Sequence, residues 1–283
     1  MKKYFPASRL PVLSSPAAWE AYLLIGIFPA GKRLRWCKVH AFVGLARPGW
    51  HCLSAVEALD GAGDTVVLVA DGDGVRKHVR AGADPRVAWS GVREANVALD
   101  DPRVEAKATA HDVGWWARIP RVLSYCTGFG DLAWTDDEGT VRGVGLVEHA
   151  WGAAVPVDVA ALAPRRWQWD VMATTDGAAM ASLTIGGVGV RAMGRGGADE
   201  PFATGWRARV RVREWGRQEG RRVPVRWEGS MTTRAGTLRY EARAATPVAT
   251  MVPGGGFIGS TWEGTWRGRP VSGTGFSEYR ASD

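Results

Sequence analysis

The residues best equipped for chemistry gather at the middle of this chain. Gly143-Val144-Gly145-Leu146-Val147-Glu148-His149-Ala150-Trp151-Gly152 puts an imidazole beside a carboxylate and an indole, and Trp167-Gln168-Trp169-Asp170 follows a short interval later. Strand alternation places Val147, His149 and Trp151 on one face and Leu146, Glu148 and Ala150 on the other. A histidine in an apolar, aromatic setting favours its neutral form and serves as general base or hydrogen-bond donor. An aspartate kept protonated by apolar surroundings serves as a proton donor. His149, Asp170 and Tyr125 are therefore the candidate catalytic groups. Two neighbouring strands would bring them together with Trp151, Trp167 and Trp169. The plain alternative for His149 is a hydrogen-bonded core residue.

The chain has 15 Trp against 5 Tyr and 7 Phe. Most of those indoles must plug cores and barrel ends. Several lining one site would form a flat, rigid, electron-rich wall for an extended apolar or polyene ligand. Trp151, Trp167 and Trp169, with Glu148, Trp116 and Trp262, are the candidate substrate-binding residues.

Other chemistries lack their residues. Gly186-Gly187-Val188-Gly189 and Gly194-Arg195-Gly196-Gly197 precede no helix and carry neither a P-loop nor a dinucleotide fingerprint, so they read as turns and bulges. His40, His51, His78, His111 and His149 have no paired spacing, and Asp71-Gly72-Asp73-Gly74 lacks the downstream carboxylates of a calcium loop. There is no G-x-S-x-G. Cys37, Cys52 and Cys126 have no CxxC spacing, which argues against a disulfide framework or zinc ribbon and for inert buried thiols. No cofactor and no metal are expected.

These groups are positioned by strands. Short runs alternate apolar and polar residues and are broken by Gly- and Asp-rich turns, among them Asp136-Asp137-Glu138-Gly139 and Thr174-Thr175-Asp176-Gly177. The clearest is Trp206-Arg207-Ala208-Arg209-Val210-Arg211-Val212-Arg213, apolar inward and arginine outward. Further strands are expected at 51–59, 65–71, 87–92, 103–110, 125–135, 223–228, 237–244, 260–267 and 271–280. Residues 1–33 read as an irregular lead-in with one apolar patch, Ala21–Ile27, and residues 156–164 as a linker or a short helix over 157–162. Convincing helical periodicity is absent. The fold class is all-β with little helix: two linked antiparallel barrels or sandwiches, residues 1–155 and 156–283.

The net charge of +7 permits an acidic partner, but 30 of the 36 basic residues are Arg and Asn96 is the one asparagine, a pattern of GC-rich coding. Arg207–Arg222 alternates as a solvated strand face does, so no nucleic-acid partner is expected. No run of 18 apolar residues is present, so no membrane span is expected, and the default location is cytoplasmic.

Val147-Glu148-His149-Ala150-Trp151-Gly152 with Trp167-Gln168-Trp169-Asp170 resembles the D/E-H-x-W-G and W-x-W core of the carotenoid 1,2-hydratase and AttH-like proteins. Thr261-Trp262-Glu263-Gly264-Thr265-Trp266 with Gly273-Thr274-Gly275-Phe276-Ser277-Glu278-Tyr279 is similar to that family's ending. The resemblance implies two tandem lipocalin-like barrels and a hydrophobic ligand, a small polyene substrate. It carries His149, Trp151 and Asp170 over as site residues. Related lipocalin-like proteins include cofactor-free cyclases of natural-product biosynthesis, Diels–Alderases among them. The leading expectation is thus a [4+2]-type cyclase acting on a polyketide-like polyene. Acid-catalysed hydration or isomerisation of an alkene is the first alternative, and a non-catalytic carrier of hydrophobic ligands is the second.

Overall fold

The computed structural model describes residues 4–5, 19–29, 36–44, 65–70, 75–80, 87–90, 94–100, 103–119, 123–152, 167–185, 188–218, 220–246, 249–250 and 255–280. Among them are nineteen strands and no helix. The chain clusters into two compact units. The first comprises Met1–Gly26, Cys37–Val69 and Arg76–Leu162, and the second Ile27–Trp36, Ala70–Val75 and Ala163–Asp283.

Ten strands make the first sheet: β1 (Tyr4–Phe5), β2 (Trp19–Ile27), β3 (Trp36–Gly44), β4 (Thr65–Ala70), β5 (Val75–Arg80), β6 (Val87–Ser90), β7 (Glu94–Asp100), β8 (Arg103–Ile119), β9 (Leu123–Asp136) and β10 (Gly139–Gly152). Their order is β5-β4-β3-β2-β10-β9-β8-β7-β6, with β1 on β8. The β9–β10 hairpin turns through Asp137-Glu138. Asp136 Oδ1 accepts from the Glu138 amide at 3.0 Å, and Gly139 takes φ 113°, a value open to glycine. Pairing then runs unbroken from Gly139↔Asp136 to Trp151↔Ser124.

The second sheet closes on itself. It contains β11 (Trp167–Thr174), β12 (Ala179–Ile185), β13 (Val188–Arg195), β14 (Ala203–Gln218), β15 (Arg221–Thr233), β16 (Gly236–Ala244), β17 (Ala249–Thr250), β18 (Gly255–Trp266) and β19 (Arg269–Arg280). Each of β11 to β15 pairs with the next, β16 pairs with β18, β18 with β19, and β19 returns to β11. The result is an eight-stranded antiparallel up-and-down barrel, with β17 appended to β18. Closure leaves these strands without a free edge. The β18–β19 turn has φ 50° at Arg267 and 81° at Gly268, the pair of positive values that a two-residue hairpin turn of matching twist requires.

Alternation sets the barrel's two faces. Met172, Met180, Trp227, Met231, Leu238, Tyr240, Trp262 and Tyr279 pack as one buried cluster inside. On β14, Ala208 is buried while Arg207, Arg209, Arg211 and Arg213 are exposed. Cross-strand ion pairs join this outer face, Arg213–Glu228 at 2.5 Å and Arg226–Glu241 at 2.7 Å. At such exposure solvent screens these pairs, so they order the outer face more than they stabilise it. The apolar-in, arginine-out expectation for this strand agrees with the structure, as does the all-β fold class.

Three expectations need correction. The patch within the lead-in is strand β2, paired between β3 and β10 at the centre of its sheet. Leu23, Leu24, Ile25 and Ile27 are all buried, so the run has no polar face to betray it as a strand. Val188–Arg195, which takes in Val188-Gly189 and Gly194-Arg195 of the glycine clusters, is strand β13, and of the expected turns and bulges its pairing with β12 keeps an irregularity beside Gly189. Gly194 there faces Met180, whose Sδ would lie 1.9 Å from an added Cβ. Finally, the strands bearing His149 and Asp170 are not neighbours. A strand has two edges: β10 spends its own on β9 and β2, and β11 spends its own on β12 and β19. The expected strand at 51–59 and the linker or helix at 156–164 lie outside the described residues.

Candidate active site

The barrel interior holds a polar cluster centred on Asp170. On β11 the residues Gln168, Asp170 and Met172 alternate with Trp167, Trp169 and Val171, and Met172 belongs to the interior cluster. Asp170 therefore points inward, with Ser182 of β12 and Ser277 of β19 as its cross-strand partners. The residue is 1% exposed. Gln168 Nε2 donates to Oδ1 at 2.8 Å, Ser277 Oγ donates to Oδ1 at 2.5 Å, and Tyr240 OH donates to Oδ2 at 2.9 Å.

Tyr240 reaches the carboxyl from β16, which is separated from β11 by β18 and β19. Gly229 is its partner on β15, and a Cβ there would lie 2.4 Å from the phenol carbon and oxygen. The missing side chain is what lets the ring lie across that strand. Gly264, its partner on β18, brings the two backbones close: an added Cβ would be 2.0 Å from the Arg239 carbonyl. Two glycines thus seat the tyrosine.

Burial raises the Asp170 carboxyl above its ordinary range, against the lowering effect of Ser277, Gln168 and Tyr240. The Tyr240 phenol is pushed well up, first by burial and then by the adjacent carboxylate. Tyr279 is pushed up to about 12 by burial. Trp227, Trp262 and Trp266 belong with Tyr240 to the barrel's buried apolar cluster, each 6% exposed or less. Trp262 Nε1 donates to the Thr274 carbonyl at 2.9 Å, which fixes its ring plane.

The sequence candidates fall into two groups. Asp170 and Trp262 share the barrel interior. Trp167 and Trp169 sit on β11 but on the face opposite Asp170, with Trp169 buried. Val171 and Phe276 pair on that outer face. Phe276 meets the edge of Trp36 at 4.9 Å and stacks on Phe257 at 5.8 Å. Gly259 makes room for Trp36, whose Nε1 would lie 2.4 Å from an added Cβ.

His149 and Glu148 lie on β10 of the first sheet, 1% and 5% exposed. Cys126 of β9 is the register partner of His149, and its thiol is pushed up to about 12, chiefly by burial and then by the charge of Glu148. Tyr125 pairs with Ala150, Trp151 with Ser124, and Trp116 of β8 with Cys126. The side chains of Tyr125, Trp151 and Trp116 lie outside the described residues. Among the described residues no group of His, Cys, Asp and Glu is arranged to hold a metal ion, and no helix is long and apolar enough to cross a membrane.

Sequence reasoning did not select Gln168, Ser277 or Tyr240. Gln168 was legible, two residues before Asp170 on the same strand face. Ser277 lies within the quoted Gly273–Tyr279 stretch, but its contact depends on β19 returning to β11. Tyr240 left only an indirect signal, a glycine at position 229 inside a strand.

No protein-family model and no curated protein matches the sequence. Solved structures do match. An AttH candidate from Nitrosomonas europaea superposes with a TM-score of 0.51 at 14% identity, over 97% of this chain and 98% of that one. Kievitone hydratase from Nectria haematococca gives 0.52 at 11% identity, over 99% and 96%. The chain shares their fold. The lipocalin-like barrel implied by the sequence motifs is the one the second sheet forms, and the likeness in fold to these two structures spans nearly the whole of this chain.

Proposed function

We propose that this chain is a cofactor-independent enzyme in which Asp170 protonates an alkene of a hydrophobic, polyene-type substrate, leading to hydration or isomerisation. The observation that carries the proposal is a carboxyl buried in the barrel interior and met by three side-chain donors, a setting in which burial favours the protonated form. Burial keeps the proton on Asp170 in the resting enzyme. Gln168, Ser277 and Tyr240 are donors already aimed at the oxygens on which charge appears as the proton leaves. In the step, the alkene π pair forms the new C–H bond, Asp170 becomes a carboxylate, and the other alkene carbon becomes cationic. Capture of water gives an alcohol, while loss of a neighbouring proton gives the isomer. Either course returns a proton to Asp170. Trp227, Trp262 and Trp266 offer π faces to the cationic carbon.

The aromatic interior also supports a second reading, a [4+2]-type cyclase acting on a polyketide-like polyene. There a rigid wall would hold the chain in a reactive fold, and the neutral Asp170 carboxyl would donate to a dienophile carbonyl. One experiment separates the readings. The protein is incubated in D2O with trisubstituted alkenes and with linear polyenes carrying an activated alkene, and products are analysed by mass and NMR. Acid catalysis leaves deuterium on carbon, cyclisation gives an isomeric ring without it, and a carrier returns its ligand unaltered. Acid catalysis also requires that Asp170→Asn abolish the reaction. Full activity in that variant refutes the proposal. A parallel His149→Ala variant with unchanged rate would assign His149 to the core of its sheet.

A further inference from the structure

Ser182 is the cross-strand partner of Asp170 on β12 and is 1% exposed. It shares the inward face with Met180 of the interior cluster. Directly opposed residues of an antiparallel pair have Cβ atoms ~5 Å apart, so the two side chains leave the strands side by side on the same face. Yet Ser182 Oγ makes no hydrogen bond to any described residue. Thr127, Thr274 and Trp266 also leave a polar atom unpartnered, but none of them is a register partner of Asp170.

The carboxyl has complementary capacity. Oδ1 receives two donors, Gln168 and Ser277, whereas Oδ2 receives Tyr240 alone. A carboxyl group offers about four hydrogen-bonding positions, so Oδ2 keeps one, which carries the acid proton at rest and accepts a donor once that proton has left. On the far side of Ser182 its partner on β13 is Ala192, a small residue that leaves space where a larger side chain would intrude. An unpartnered buried hydroxyl is costly, and buried waters typically satisfy such groups with about three bonds each.

We propose that Ser182 Oγ and Asp170 Oδ2 hold one water molecule between them, and that this water adds to the cation formed when Asp170 protonates the alkene. The inference rests on the acid role of Asp170 and deepens it by assigning Ser182 as the residue that positions the attacking oxygen. The water's lone pair forms the C–O bond, and one of its protons passes to the Asp170 carboxylate, so the acid is regenerated with atoms and charge in balance. Ser182 selects hydration over isomerisation.

A high-resolution crystal structure of the full chain tests this with water itself as the probe. Electron density for a water within hydrogen-bond distance of both Ser182 Oγ and Asp170 Oδ2 is expected, and Ser182→Ala should lose it. In parallel, 13Cγ-aspartate NMR follows the Asp170 titration, assigned with Asp170→Asn. Loss of the bridging donor should raise the Asp170 midpoint in Ser182→Ala by about one pH unit, roughly tenfold in the acid constant. A dry Ser182 in the wild type, or superimposable titrations, overturns the water site. An Asp170 midpoint in the ordinary carboxylate range instead overturns the acid reading, while the density still decides the question of Ser182.

Discussion

Replacing Tyr240 by Phe isolates one oxygen atom from the Asp170 cluster. The ring keeps its seat over Gly229, and only the donor at 2.9 Å from Asp170 Oδ2 is lost. A hydrogen bond to a charged group contributes about 1.5–3 kcal/mol. One pKa unit corresponds to about 1.4 kcal/mol, so the midpoint of Asp170 should rise by roughly 1–2 units beyond its already raised value. The sign follows from which form the phenol favours. It donates to the carboxylate, so removing it leaves the protonated acid relatively better off.

The same shift appears in stability. Below the ordinary carboxylate value, near about 4, Asp170 is protonated in both folded and unfolded chains and contributes no pH dependence. Above it the folded protein holds a proton that the unfolded chain releases. Stability therefore falls as pH rises, by about 1.4 kcal/mol per unit, until the folded midpoint is passed. Tyr240→Phe should extend that descending window upward by roughly 1–2 units. Urea unfolding at a series of pH values, alongside 13C NMR of the carboxyl, measures both. Activity on an alkene substrate should follow, with the loss of rate at high pH displaced upward by the same amount. An unchanged or lowered midpoint would refute the claim that Tyr240 acts as a donor to the ionised acid.

Other substitutions test separate parts of the argument. Asp170→Asn removes the titrating group, so the descent in stability above about pH 4 should flatten in urea unfolding while catalysis is lost. Gly229→Ala places a methyl 2.4 Å from the phenol and should displace Tyr240; with overpacking at roughly 1–3 kcal/mol, thermal unfolding should register it, and the Asp170 midpoint should rise as in Tyr240→Phe. Gly268→Ala meets no neighbour within 4 Å, so its cost should be the conformational one of a left-handed alanine, about 1–2 kcal/mol, with the Asp170 titration untouched. Cys37 and Cys126 are buried with thiols pushed up, Cys126 to about 12, so alkylation by iodoacetamide should await unfolding.

The all-β class was legible because period-two alternation survives wherever one face of a strand meets solvent, as in Arg207–Arg213. It failed for β2, whose residues are buried on both faces, and for β13, where glycines that admit Met180 imitate turns. The site was legible in part for a related reason. Asp170 could be singled out locally, and Gln168 shares its strand face. Ser277 and Tyr240 lie 107 and 70 residues away and reach the carboxyl only because β19 closes the ring and Gly229 and Gly264 let the phenol cross it. Pairing order is a long-range property that alternation does not encode. The same limit explains why His149 and Asp170, close in sequence, fall on strands that share no edge.

Closure also bears on why the acid sits where it does. An open sheet would leave one edge of β11 to water, and a solvated Asp170 would ionise in its ordinary range. In the ring both edges of β11 are paired, and the facing wall supplies Trp227, Trp262 and Tyr240. Burial alone would make the proton too costly to release. The three donors offset part of that penalty, because they favour the anion that burial disfavours. A proton donor must hold its proton at rest yet yield it to a weakly basic alkene, and the cluster sets these two tendencies against each other. Removing donors one at a time should raise the Asp170 midpoint and slow proton transfer together. Removing burial should lower the midpoint and empty the acid of its proton at neutral pH. The direction of the midpoint thus tells which half of the balance a given variant has disturbed.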